Sequence, residues 1–84
     1  MTDETLLTAY LRVLEARAWV ELPTSEMGTS IFTRGTYLLD RIHLVGGRWS
    51  HHHYDGRSWP VKARGNDVAS LEKYLAQHFR SDRR

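Results

Sequence analysis

The chain contains no cysteine. A disulfide framework and a thiolate metal cage are therefore both excluded, and the composition suits a reducing compartment. No apolar run comes near the roughly 18 residues that a membrane-spanning helix needs. The start, Met1-Thr2-Asp3-Glu4, has neither the basic lead nor the unbroken apolar stretch of a secretory signal. These absences predict a cytoplasmic protein with no membrane association. Familiar catalytic signatures are missing too. Gly46-Gly47 sits between two strand-like runs rather than before a helix, so it is no phosphate-cradling loop, and Gly-x-Ser-x-Gly does not occur. Neither are there paired carboxylates in a pocket-forming context.

What remains is 84 residues with 40% apolar content. That is enough for one domain, spanning 1–84, with a single two-layer core, and too little to enclose a roomy pocket. Size alone argues against a multistep enzyme. The net charge is only +2, but it is unevenly spread. Residues 1–28 carry five acids and two arginines, whereas residues 29–65 carry six basic side chains and only Asp40 and Asp55. The basic part is the middle.

Apolar residues Leu6, Leu7, Tyr10, Leu11, Val13, Leu14 and Ala18 recur at helical spacing and predict a first helix over about 3–18. Trp19-Val-Glu-Leu reads as a short strand stopped by Pro23, and Ile31-Phe32-Thr33 as another short strand or the opening of the next. A second helix over about 67–80 follows Gly65-Asn66-Asp67, with Val68, Leu71, Leu75 and Phe79 as its apolar stripe. The strands fall within 19–63. The fold class is thus α+β, an antiparallel meander of three to five strands in the order α-β(3-5)-α, with both helices packed on the sheet's one apolar face.

The most informative stretch is Trp49-Ser-His-His-His-Tyr-Asp-Gly-Arg-Ser-Trp59. Gly46-Gly47 before it suits a two-residue primed turn, which places Leu44 opposite Trp49, Ile42 opposite His51 and Asp40 opposite His53. For the turn after it there are two registers. A two-residue loop of Asp55-Gly56 would separate Trp59 from Trp49. A three-residue loop of Tyr54-Asp55-Gly56 pairs Trp59 with His51 and Val61 with Trp49, gathering all the large apolar groups on one face, so burial favours it. Trp19, Trp49 and Trp59 are then all expected in the core.

Under that register the uncovered face carries basic and aromatic side chains and no acid. Tyr37, Arg41, His43, Arg48, His52, Tyr54 and Lys62 are the expected partner-binding residues, since such a surface can hold phosphates while rings stack on bases, or can grip an acidic protein. The expected role is a small non-enzymatic regulatory or inhibitory protein of bacterial or phage type, engaging a nucleic acid or an acidic protein surface, with no cofactor, metal or catalytic residue. An edge strand bearing Ser58-Trp59-Pro60 also offers a homodimer contact.

Two alternatives use the histidines. His51, His53 and Asp40 have the spacing of a three-ligand metal site. Alternatively a strand histidine, with Asp40 orienting His53, could serve as a general base or acid. Ser50-His-His-His-Tyr-Asp-Gly, followed by a strand, a proline-containing end and a helix, is similar to HicA-type toxins. That resemblance covers about the last 35 residues and implies a small ribonuclease using strand histidines. This chain has Trp49 where that family has glycine before the Ser-His pair, and about 30 residues between the first helix and that strand where the family has a short connection.

Overall fold

The computed structural model describes residues 3–25, 27–34 and 39–79. Helix α1 (Asp3–Ala16) leads into strands β1 (Val20–Leu22), β2 (Thr29–Arg34), β3 (Asp40–Val45), β4 (Arg48–His53) and β5 (Val61–Gly65), and helix α2 (Val68–His78) closes the order. The strands form one antiparallel meander in sequence order. This is the α-β(5)-α architecture read from the sequence, at the upper limit of the strand count.

Alternation sorts the sheet. Phe32, Ile42, Leu44, Trp49 and Ala63 meet Tyr10, Leu14, Leu71 and Leu75 from the helices in one core, which also takes in Trp19. Helix α1 ends where Ala18 adopts φ 68° and the Trp19 amide turns back to donate to the Leu14 carbonyl, a left-handed cap that swings the indole inward. Tyr10 is buried, and its hydroxyl donates to the Gly47 carbonyl at 2.7 Å. Helix α2 starts where the Asp67 carboxylate accepts from the Ser70 amide. Ser70 Oγ in turn accepts from Trp49 Nε1 at 3.0 Å, so the cap also anchors a core indole.

The Gly46-Gly47 turn has both glycines at positive φ, 59° and 80°, which only glycine tolerates cheaply, and the β3–β4 register follows as expected: Leu44 with Trp49, Ile42 with His51, Asp40 with His53.

The β4–β5 connection differs from both registers considered above. The Asp55 amide donates to the Ser58 carbonyl, while the Asp55 carboxylate accepts from the amides of Arg57 and Ser58. This side-chain clamp centres the turn on Gly56-Arg57. Val61 consequently pairs with His52, and the phase recovers only through an irregularity at Lys62, beyond which Ala63 pairs with His51 and Gly65 with Trp49. Trp59 therefore does not join Trp49 in the core. It lies beside Tyr54, ring centroids 5.0 Å apart, and under the Arg41 guanidinium, 4.0 Å from its ring.

Candidate functional site

The three consecutive histidines are divided by the strand. His51 and His53 share the helix-covered face with Asp40, and His52 faces the other way with Arg41 and Val61. Two different constellations result.

On the covered side His51, 6% exposed, is held at both nitrogens. Its Nε2 lies 2.8 Å from Asp40 Oδ1, and its Nδ1 lies 2.6 Å from the Tyr74 hydroxyl. His53 Nδ1 reaches the same Asp40 oxygen at 2.8 Å. Burial pushes the His51 pKa down against the pull of Asp40. For Asp40, burial pushes upward but the hydrogen bonds from His53 and His51 outweigh it, and the carboxyl ends below its usual range. The pair is thus a carboxylate accepting from a neutral imidazole. Nε2–H donates to Asp40, leaving Nδ1 to accept from the Tyr74 hydroxyl. Burial, then the Asp40 charge, raises the Tyr74 pKa, so that hydroxyl keeps its proton. Neither nitrogen of His51 is left over for a metal or a substrate proton. Among the described residues no group of three His, Cys, Asp or Glu is placed to hold a metal ion. The His-x-His pair, read alternatively as metal ligands, shares one carboxylate oxygen as an internal brace.

The bare side carries the second constellation. His43 and His52 stack with centroids 4.1 Å apart. His43 Nε2 is buried without a hydrogen-bond partner. Burial, the neighbouring His52 and Arg41 together lower the His43 pKa to about 4. His52 Nδ1 sits 2.9 Å from the Trp59 carbonyl, and its Nε2 sits 2.8 Å from Ser50 Oγ. Beside Ser50 a shallow groove of about 340 Å³ is lined by His43, Arg48, Val61, Arg64 and Asn66, among others.

Of the residues expected to bind a partner, Arg41, His43, Arg48, His52 and Tyr54 belong to this side. Lys62 is the extra residue at the β5 irregularity and is exposed there, and Tyr37 lies outside the described residues. Trp59 and Arg64 were missed. The signal that would have found Trp59 is Asp55-x-x-Ser58, whose carboxylate can clamp two downstream amides and so move the turn by a residue; Arg64 needed only the last strand carried on to Gly65.

Among the described residues no helix is long and apolar enough to cross a membrane. Set against protein-family models, curated proteins and solved structures, the chain finds no match in any of the three.

Proposed function

We propose that this protein is a small regulatory binding module that engages an anionic macromolecule, a nucleic acid or an acidic protein surface, through the bare face of its sheet. The observation that carries the reading is compositional and spatial at once. Arg41, Arg48 and Arg64 share that face with His43, His52, Tyr54 and Trp59, no acidic side chain stands among them in the described residues, and both helices pack on the opposite side. Guanidinium groups beside partly exposed rings are the combination that tracks a phosphate backbone and stacks on bases. The same positive potential suits an acidic protein patch. A cytoplasmic setting, a bacterial or phage origin and self-pairing through an edge strand belong to this proposal too.

The test is fluorescence anisotropy with short labelled single-stranded RNA and DNA and with an acidic peptide, at two salt concentrations. Binding should weaken as salt rises, and Arg48→Glu with Arg64→Glu should lower affinity about tenfold or more while leaving the circular dichroism unchanged, both residues being exposed. No binding by the parent, or equal binding by the double variant, overturns the proposal.

A further inference from the structure

The Trp59 carbonyl can only accept a hydrogen bond, so His52 Nδ1 must be the donor in that contact. In the neutral ring the lone pair is then on Nε2, the atom 2.8 Å from Ser50 Oγ. Ser50 O–H therefore donates to His52 Nε2, whose ring is fixed from behind by a backbone acceptor. The imidazole is also held flat against His43. A hydroxyl within hydrogen-bond reach of a base, with the base oriented by a third group, is the arrangement that activates a nucleophile. Strand geometry produces it, because residues 50 and 52 are two apart and so project from the same face.

Accessibility is the second requirement. Ser50 is partly exposed and lines the groove it shares with Arg48, Arg64 and Asn66. At about 340 Å³ that groove is at the small end of ligand sites, which run from roughly 300 to 1,000 Å³. It can admit a small ester, and the two arginines among its lining give the groove positive potential, which favours an oxyanion.

The geometry points to Ser50 as a nucleophile, with His52 as its general base, that takes the acyl group from small carboxylic esters. Ser50 Oγ forms a bond to the acyl carbon as its proton passes to His52 Nε2. The bond from that carbon to the ester oxygen then breaks, and the departing alcohol leaves with the proton from His52. Water, deprotonated by the same nitrogen, attacks the acyl-serine, releases the carboxylic acid and restores the Ser50 hydroxyl. The orienting group is a neutral carbonyl and not a carboxylate, so less charge stabilises the imidazolium than in a Ser-His-Asp triad, and turnover is slow. This reading does not depend on the identity of the macromolecular partner.

The probe is p-nitrophenyl acetate, with nitrophenolate release followed by absorbance and the acetylated residue mapped by peptide mass spectrometry on the parent protein. The expected result is a burst of one equivalent with the acetyl group on Ser50. Ser50→Ala should lose the burst, and His52→Gln should slow acetylation about 10²-fold, the usual contribution of a general base. Acetylation confined to lysine, histidine or the amino terminus of the parent overturns the proposal, as does an unchanged burst in Ser50→Ala. Mapping on the parent decides the matter even if a variant folds poorly.

Discussion

The two faces of this sheet hold the same kinds of residue and treat them in opposite ways. On the covered face His51 and His53 converge on one carboxylate oxygen of Asp40, and Tyr74 takes the remaining nitrogen of His51. On the bare face His43 keeps a nitrogen without a partner, His52 points its Nε2 at a hydroxyl, and the indole that covers part of the face is held by a cation. A polar group taken from water must be paired or it costs on the order of 1–3 kcal/mol, and the covered cluster meets that by closing on itself. On the bare face His52 spends one nitrogen on a partly exposed hydroxyl and His43 leaves a buried nitrogen unpaired, and the proposed chemistry is confined to that side.

The largest effect that tests this contrast concerns the two tryptophans of the ribbon. Trp49 is 3% exposed and donates its indole N–H to Ser70, so Trp49→Ala should cost about 4 kcal/mol, in the range for large aromatic truncations in cores. Trp59 lies on the bare face with Tyr54 and Arg41 against its ring and is partly exposed. Trp59→Ala should cost no more than about 1–2 kcal/mol, the value for incomplete burial. Urea unfolding of both variants measures the difference. Equal costs would mean that the bare face is packed like the core.

That contrast is also where sequence reasoning reached its limit. The β3–β4 hairpin was legible because Gly46-Gly47 fixes a turn with two positive φ angles, and the position of Asp40 opposite His53 follows by counting. The six-residue length of β2 was not, since Phe32 and Thr33 are adjacent and both buried, which hides the alternation that marks a half-buried strand. Trp59 was misplaced by a sound rule used alone. Burial favours the register that brings every indole to the core, but a carboxylate that satisfies two amides sets the turn first. A large ring then finds partial cover on the other face, against a guanidinium and a phenol. The irregularity at Lys62 repairs the phase, so Ala63 still reaches the core face. Of the candidate site, the cations of β3 and β4 were readable by parity. Trp59 was not, because parity counted through the wrong turn; Arg64 has the parity of Lys62 and was left out because the last strand was ended at residue 63.

Acid should separate the faces next. The His43 pKa is depressed from 6.5 to about 4, so the unfolded chain takes up a proton at this site before the folded one does. Its contribution to stability is complete above pH 6.5 and drains away as pH falls through that window towards 4. His51, also depressed, adds a loss of the same sign. Asp40, whose pKa is likewise lowered, holds its contribution above 3.8 and loses it only at lower pH, outside the window. Stability measured by urea at pH 7 and at pH 4.5 should differ by on the order of 1–2 kcal/mol on account of His43, allowing for its partial contact with solvent. His43→Phe preserves a ring against His52 but cannot titrate, and should flatten that part of the pH dependence. An unchanged slope would mean that His43 takes up its proton as freely as in the unfolded chain.

The smallest effect concerns what holds Trp59 in place. If the Arg41 guanidinium, 4.0 Å from the ring centroid, attracts the indole as a cation on a π face, a double-mutant cycle of Arg41→Gln with Trp59→Leu should return a coupling of about 0.5–1 kcal/mol. Neither single substitution reports this by itself, since each changes more than the one contact, Trp59→Leu its packing against Tyr54 among them. The sign of the coupling bears on more than stability. Arg41 can bind an anion and cover Trp59 at once only if it moves little on binding, so a favourable coupling means that the bare face presents its cation preordered. Near-zero coupling would leave Arg41 free to swing, and the work of recognition would then fall on Arg48 and Arg64, which sit beside Ser50 at the groove.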